Sequence, residues 1–272
     1  MPGTRRRAAA GASAEHPARP AGPPPDGALR AAVTDCARRM AGDGLVIGTS
    51  GNVSARAGEA ILITPSGRGY DSLGADDLCV IGLDGRPVDC PHPPSSELPM
   101  HLAVYRATDA AAVVHTHSMF ATAVAAALTE LPPVHYAITA LGGPVRVAPY
   151  ATFGTAELAD GLAAALAGRR AALLASHGAV TVGRSVAQAY ERARLLEWLA
   201  ELYYRAAQLG RPRLLSQQDL DAVTAQAALL ARRWAAGGAR VGAGPPVPGQ
   251  AQRRRAHADT GHRGGASRHD RA

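Results

Sequence analysis

Two histidines separated by one residue are the first feature of this 272-residue chain that could do chemistry. They stand in VVHTH at 113–117, an apolar run whose length and composition predict a short buried β-strand. Side chains two residues apart on a strand point to the same face, so His115 and His117 can meet one metal ion. A His-x-His pair alone is only moderately specific, since it also occurs outside metal sites.

A third histidine strengthens the case for a metal site. His177 follows an apolar segment at 171–175 and precedes Gly178, and functional groups collect at the ends of strands. The alternative is a histidine that caps the strand and bonds to a loop. Three imidazoles from two strand ends match a catalytic zinc site, which has three protein ligands and an open fourth position. Residues 179–182 are expected to continue the strand beyond the glycine.

A glutamate stands just before a predicted helix that runs from Leu98 to Arg106. It ends the motif PSSE at 94–97, which can be a capping pattern with an acid in the first turn. In a second interpretation, Ser95, Ser96 and the free N–H groups there bind an anion such as phosphate. Glu97 would then reach toward the metal as ligand or base, and the residues alone leave both interpretations open.

Two glycine-containing turns and one more histidine are further candidates. The turns are GTSGN at 48–52 and TPSG at 64–67, where glycine lets the backbone approach a ligand and the hydroxyl and amide groups can donate to phosphate. Ordinary turns are the alternative for either segment alone. The spacing G-x-G-x-x-G of a dinucleotide site is absent. His101 lies one helical turn after Glu97, where it can support a metal ligand.

The basic residues exclude several mechanisms, because all 29 of them are arginine. Without lysine, the chain can form no Schiff base, so lysine-dependent aldolases and pyridoxal-phosphate enzymes are excluded. A Walker-A phosphate loop is excluded for the same reason. Any phosphate must therefore be held by backbone N–H groups, hydroxyls, amides or arginine.

Alternating apolar strands and amphipathic helices predict one three-layered α/β domain between two ends rich in Pro, Gly and Arg. We expect disordered tails at 1–27 and 238–272 and a folded domain at 28–237. The tails carry the whole net charge of +7, so the domain itself is neutral. Specific nucleic-acid binding is therefore not expected.

The cysteines and the apolar runs bear on location. The three cysteines, Cys36, Cys79 and Cys90, are widely spaced and do not suggest a disulfide framework. No apolar stretch of secretory length follows the first arginines, and no run of about 18 apolar residues predicts a membrane span. We expect a cytoplasmic protein that does not enter a membrane.

Taken together and in order, these motifs resemble the class II aldolase/adducin family, and within it the L-fuculose-1-phosphate aldolases. The resemblance runs from about Ala31 to Trp234. Its landmarks are GTSGNVSAR at 48–56, ILITPSG at 61–67, PSSE at 94–97, VVHTH at 113–117, HYAITALGG at 135–143, APYATFGT at 148–155 and ASHG at 175–178.

The resemblance implies a class II aldolase-like catalytic domain over 28–237, with a central, mainly antiparallel β-sheet flanked by helices. It implies one Zn²⁺ per chain, held by His115, His117 and His177. Glu97 would be a resting ligand that leaves the metal to act as acid and base. The family's assembly is a fourfold symmetric homotetramer with its sites between subunits.

The resemblance also assigns the remaining site residues. Tyr136 would reach the active site of a neighbouring subunit and donate a proton to the aldehyde oxygen, and Phe153 would line the substrate. Phosphate contacts would fall on Gly51, Asn52, Ser66, Gly67, Ser95 and Ser96.

The implied function is reversible cleavage of a ketose 1-phosphate, L-fuculose 1-phosphate or a similar sugar. The products are dihydroxyacetone phosphate and an aldehyde such as lactaldehyde, formed through a metal-stabilised enediolate. The alternatives are a pentulose-phosphate aldolase, a 4-epimerase, a methylthioribulose-1-phosphate dehydratase and an adducin-like, non-enzymatic interaction protein. One departure concerns specificity: the family's C-terminal tail carries an aromatic residue that contacts substrate, and no tyrosine follows Trp234 here.

Overall fold

The computed structural model describes residues 26–237, so the tail predictions for 1–25 and 238–272 lie outside the described residues. The chain divides into two units, Met1–Thr224 and Ala225–Ala272. The described part of the second unit, 225–237, is the last portion of a helix. The sheet, its flanking helices and the candidate site all belong to the first unit.

The helices agree with the sequence pattern to within a few residues at each end. They are α1 Gly27–Gly42, α2 Leu98–Ala107, α3 Met119–Ala127, α4 Ala156–Leu166, α5 Val186–Gln208 and α6 Gln217–Gly237. Short 3₁₀ helices lie at Tyr70–Ser72, Ala75–Asp77 and Tyr136–Leu141. The side chain of Thr155 caps α4, because it accepts a hydrogen bond from the N–H of Leu158.

Within residues 26–237, nine strands form one sheet, which is mainly antiparallel as expected. They are β1 Asn52–Ala57, β2 Ala60–Ile63, β3 Cys79–Gly82, β4 Pro87–Asp89, β5 Ala112–Thr116, β6 Glu130–Leu131, β7 Val145–Ala148, β8 Ala171–Leu174 and β9 Gly178–Gly183. The spatial order is β4-β3-β2-β1-β5-β9-β8-β7-β6. The β7–β8 pair is parallel, and each of the other neighbouring pairs is antiparallel.

Alternate residues of each strand face different layers of helices. On β2, Leu62 packs in the cluster that includes α1 and α5, whereas Ile61 and Ile63 pack in the cluster that includes α2 and α4. This alternation is the period of two that an extended strand imposes. The sheet is therefore a middle layer between helices, which confirms the three-layered fold.

The prediction of one strand continuing through residues 171–182 was wrong, because two antiparallel strands lie there. The chain reverses at Ser176 and His177, and β9 returns antiparallel to β8 with Leu174 opposite Gly178. Ser176 takes a positive φ of 52°, which is uncommon for a residue with a side chain and closes this tight reversal. The correction places His177 at the tip of a hairpin, with backbone on both sides to fix it.

The first helix begins earlier than predicted, and residues 26–237 contain no helix that could span a membrane. The Asp26 carboxylate accepts a hydrogen bond from the N–H of Leu29, so the first helix begins inside the segment assigned to the N-terminal tail. Within residues 26–237, no helix combines the length and the hydropathy that crossing a membrane requires.

Leu162 tests the packing of α4 against the sheet. Its side chain is fully buried in the cluster shared with α2, so Leu162→Ala should cost about 2–5 kcal/mol of unfolding free energy. The matched control is Leu209→Ala, because Leu209 is 92% exposed and its truncation should change stability by less than about 0.5 kcal/mol. Urea unfolding of both variants checks this, and equal losses would contradict the packing described here.

Candidate active site

Strand β5 and the β8–β9 reversal bring three histidines together. His115 is the fourth residue of β5, His117 follows the end of that strand, and His177 sits in the β8–β9 reversal. The ring centroids are 4.8, 5.0 and 4.9 Å apart for the three pairs. The spacing predicted from the strand period therefore holds, and the neighbouring strand β9 supplies the support for the third ring.

Glycine at position 178 permits this approach. A Cβ atom there would lie 2.2 Å from the carbonyl oxygen of Thr116 and 3.3 Å from Cε1 of His115. A Cβ atom cannot lie 2.2 Å from a carbonyl oxygen, so β9 can lie this close to β5 only if residue 178 has no side chain. The ASHG motif thus combines a functional side chain with the glycine that lets it reach the cluster.

Glu97, the residue immediately before α2, adds a carboxylate to the three imidazoles. Its Oε2 lies 3.0 Å from Nε2 of His115, and its Oε1 lies 3.1 Å from Nε2 of His177. Nε2 of His115 and Nε2 of His117 are 2.9 Å apart. The four side chains each offer one ligand atom, and these atoms all lie within 4.8 Å of one another.

The hydrogen bond on the far side of His115 fixes which nitrogen faces the cluster. Nδ1–H donates to the carbonyl oxygen of Ala179 at 3.0 Å, so Nε2 is the nitrogen that faces Glu97 and His117. Where Nε2 carries a lone pair and no proton, it and the carboxylate oxygens repel each other at such distances. A cation at their centre turns that repulsion into attraction, and ligating histidines are commonly oriented by this kind of outer hydrogen bond.

Burial sets the charges of the cluster. Burial lowers the pKa of His117 to about 4, and the neighbouring rings of His115 and His177 act in the same direction. Burial alone would raise the pKa of Glu97, but the imidazoles of His115 and His177 outweigh it and hold that pKa well below its ordinary value. Near neutral pH the site therefore contains a neutral His117 and an ionised carboxylate.

These residues fit a divalent metal. Glu97 Oε1 is buried and receives no well-oriented hydrogen bond from a described residue, although His177 Nε2 lies 3.1 Å away. An ionised oxygen in that state is costly unless a positive charge compensates it. A set of three imidazole nitrogens and one carboxylate oxygen suits zinc among the common divalent ions.

A cavity of about 310 Å³ opens beside the cluster. Glu97, His117 and His177 reach it, whereas the fully buried His115 lies behind them. Each residue predicted to contact phosphate or substrate lines this cavity: Gly51, Asn52, Ser66, Gly67, Ser95, Ser96 and Phe153. None of the described lining residues is an arginine, so the anion-binding groups here are hydroxyls, amides and backbone.

Backbone hydrogen bonds hold the two serine-containing loops side by side. The N–H of Ser66 donates to the carbonyl of Pro93 at 2.9 Å, and the N–H of Ser95 donates to the carbonyl of Thr64 at 3.2 Å. Those two N–H groups are therefore occupied, and the side-chain hydroxyls of the same residues remain to meet a ligand. Ser95 Oγ also accepts from the N–H of Glu97 at 3.2 Å, which ties the loop to the carboxylate.

Two predicted residues differ from the rest in their placement. Tyr136 begins the 3₁₀ helix at 136–141, is 57% exposed, and does not line the cavity of its own chain. Phe153 lines the cavity but is 63% exposed. Sequence reasoning had not singled out Tyr150, which is also at the cavity and 66% exposed. Its only signal was its place in the APYATFGT motif.

Comparison with known proteins agrees with this geometry. The family described as "Class II Aldolase and Adducin N-terminal domain" matches residues 31–204. The 5-deoxy-D-ribulose 1-phosphate aldolase of Bacillus thuringiensis serovar kurstaki is 40% identical over 187 residues, which cover 68% of this chain and 88% of the relative. The 5-methylthioribulose-1-phosphate/5-deoxyribulose-1-phosphate aldolase of Rhodospirillum rubrum is 41% identical over 198 residues, which cover 72% and 89% of the two chains.

A solved structure is similar throughout the same region. A protein described as L-fuculose 1-phosphate aldolase superposes with a TM-score of 0.73 at 32% sequence identity. The match covers 75% of this chain and 98% of the solved one.

Gly178→Ala tests the close approach of β9 to β5. The added methyl group should displace the β8–β9 reversal, lower the unfolding free energy by about 1–3 kcal/mol and weaken Co²⁺ binding. Gly161→Ala in α4 is the control, since its Cβ would meet only the Ala148 methyl at 3.8 Å and alanine favours a helix. Unfolding curves and the visible spectrum of bound Co²⁺ measure both effects. An unchanged Co²⁺ spectrum in Gly178→Ala would show that the glycine is not needed for the cluster.

Proposed function

We propose the reaction of this protein from one premise: the chain belongs to the class II aldolase and adducin family, and it is a metal-dependent aldehyde-lyase that acts on a sugar phosphate. The reaction is reversible cleavage of a ketose 1-phosphate between C3 and C4. The observation that carries this proposal is the cluster of Glu97, His115, His117 and His177 beside a cavity lined by hydroxyl groups.

The metal is zinc, held by His115, His117 and His177 with Glu97 as the resting fourth ligand. When bound, the ion supplies Lewis-acid stabilisation for the negative charge that develops as the carbon–carbon bond breaks. Two features support this assignment: the buried Oε1 of Glu97 lies 3.1 Å from His177 Nε2, and His115 turns its Nε2 toward the carboxylate. The adducin-like alternative is disfavoured, because a protein without metal chemistry has no need for this costly arrangement.

The phosphate end of the substrate binds where Gly51, Gly67 and the serine hydroxyls of 66, 95 and 96 line the cavity. Asn52 Nδ2 donates to Oε2 of Glu97 at 2.9 Å, and its second hydrogen remains available for a phosphate oxygen. Asn52 therefore links the group that binds phosphate to the group that moves a proton.

The proton transfers are assigned to two residues. In synthesis, the Glu97 carboxylate takes a proton from C3 of dihydroxyacetone phosphate, the C3 electron pair forms the bond to the aldehyde carbon, and Tyr136 of a neighbouring subunit gives its hydroxyl proton to the aldehyde oxygen. Cleavage runs the same transfers backwards, from a protonated Glu97 and a deprotonated Tyr136, and proton exchange with solvent restores the two groups after each turnover. Phe153 lies along the sugar chain at the cavity mouth.

The sugar is L-fuculose 1-phosphate or a similar 1-phosphate, with lactaldehyde as the second product of the former. A second candidate, 5-deoxyribulose 1-phosphate, is favoured by the two relatives of 40% and 41% identity that are named for it. Its cleavage gives acetaldehyde. A 4-epimerase and a methylthioribulose-1-phosphate dehydratase stay as outcomes of the substrate test, since neither releases dihydroxyacetone phosphate.

The protein acts as a homotetramer, and its location is the cytoplasm. The exposed Tyr136 supports the first statement, because its own chain offers it no place in the cavity. The three cysteines, which are unpaired, support a reducing compartment.

Metal content and a substrate screen test the proposal together. Purified protein should carry about one zinc per chain and should release dihydroxyacetone phosphate from a ketose 1-phosphate. His115→Ala should lose both zinc and activity while it remains folded. His92→Gln is the matched control, because His92 pairs with Asp77 away from the cavity and should keep both. Active protein without a divalent metal would refute the proposal.

Mixed oligomers test whether Tyr136 serves a neighbouring site. His115→Ala and Tyr136→Phe should each be inactive or nearly so, since one lacks a ligand and the other lacks the proton donor. In a randomly mixed 1:1 tetramer, about a quarter of the sites combine an intact ligand set with an intact tyrosine. Co-expression should therefore restore activity to roughly that fraction.

The control mixes Tyr136→Phe with the double variant His115→Ala/Tyr136→Phe, in which no site can be complete. If native mass spectrometry finds mixed tetramers but their activity equals this control, Tyr136 does not act across a subunit boundary.

A further inference from the structure

Five buried side chains form a ladder between β1 and α2. On α2 and the residue before it, Glu97, His101 and Tyr105 are four residues apart and share one face of the helix. On β1, Asn52 and Ser54 are two residues apart and share one face of the strand. Each of the five is at most 6% exposed, and His101 and Ser54 are completely buried.

The side chains alternate between the two elements and touch in sequence. Asn52 Nδ2 lies 2.9 Å from Glu97 Oε2, and Asn52 Oδ1 contacts His101 Nε2. On the other edge of the ring, His101 Nδ1 lies 2.6 Å from Ser54 Oγ. The series of hydrogen bonds ends where Ser54 Oγ lies 2.8 Å from the hydroxyl oxygen of Tyr105.

The chemistry of the groups fixes the direction of each hydrogen bond. An ionised Glu97 can only accept, so the NH₂ group of Asn52 faces it and the carbonyl oxygen of Asn52 faces His101. His101 Nε2 must then carry the proton. Complete burial disfavours the charged ring, so His101 Nδ1 is an acceptor and takes its hydrogen bond from Ser54. Tyr105 therefore donates to Ser54, and all four bonds point toward the carboxylate.

We propose that His101 is a positioning residue that fixes the orientation of the Asn52 carboxamide. This inference rests on the proposed function, in which Glu97 exchanges a proton with the substrate. The oriented amide engages Oε2 of Glu97, while Oε1 faces Nε2 of His177 at 3.1 Å. If Asn52 rotated by half a turn, its carbonyl oxygen would face Oε2 and repel it.

The first test is the protonation pattern of His101, which requires no activity. Solid-state ¹⁵N NMR of the full chain labelled at histidine, with His101→Gln to assign the signals, should show Nε2 protonated and Nδ1 bare. Ser54→Ala should weaken that preference, because it removes the donor to Nδ1. A ring with a bare Nε2 and a protonated Nδ1 would require the NH₂ group of Asn52 to face His101, which would reverse the series of hydrogen bonds and overturn the inference.

The second test separates positioning from folding. His101→Leu removes the donor to Asn52, and the loss of such an outer partner should lower kcat by about 10–100-fold, with KM changed much less. His101→Gln keeps an N–H donor on that side and should recover most of the loss. Thr34→Val is the control for deleting a buried polar group, since Thr34 bonds only to backbone carbonyls of α1.

The outcomes distinguish this inference from the proposed function. If the wild type cleaves no ketose phosphate, the proposed function fails, while the NMR pattern still decides the direction of the ladder. If His101→Leu keeps kcat within about twofold of the wild type, His101 does not position the base. If leucine and glutamine reduce kcat equally, in proportion to their loss of thermal stability, the role of His101 is structural and the inference is overturned.

Discussion

Four acceptor groups face one another at the centre of this structure, and the rest of the fold holds them there. Bringing a carboxylate and three imidazoles within 4.8 Å costs desolvation and repulsion unless a cation lies between them. Flexible loops would relax and separate the groups. Here two histidines follow the strand period of β5, the third sits in the tight β8–β9 reversal, and Glu97 is fixed at the start of α2.

The absence of lysine constrains the other end of the cavity in the same way. In the proposed function, a phosphate dianion there would meet serine hydroxyls, glycine backbone and one amide, with no arginine among the described lining residues. Neutral donors bind an anion well only when they are held in place beforehand, because their individual contributions are small. The paired loops at 64–67 and 93–95 supply that rigidity through hydrogen bonds between their backbones.

The sequence predicted the chemistry of the site better than its surroundings. The two-residue spacing of His115 and His117 needs only the strand period, which is local, so it could be foreseen. The β8–β9 reversal could not, because it depends on Ser176 adopting a positive φ, which is uncommon for a residue with a side chain. The sequence suggested that His101 supports a metal ligand, but it did not reveal the partners of His101. Asn52 and Ser54 lie more than 40 residues away in the chain and meet His101 only because β1 packs against α2.

The side chains around the cavity differ in exposure. The cluster of Glu97, His115, His117 and His177 is buried or half-buried, whereas the large aromatic side chains Tyr150 and Phe153 are 66% and 63% exposed. Exposed aromatic rings next to a polar cavity are typical of surfaces that a second protein or a ligand covers. The proposed tetramer accounts for both observations, because a neighbouring subunit that brings Tyr136 to the aldehyde end would also cover those rings. The chemistry held by one chain is then the part that every substrate shares, and the end that distinguishes one sugar from another lies where subunits meet.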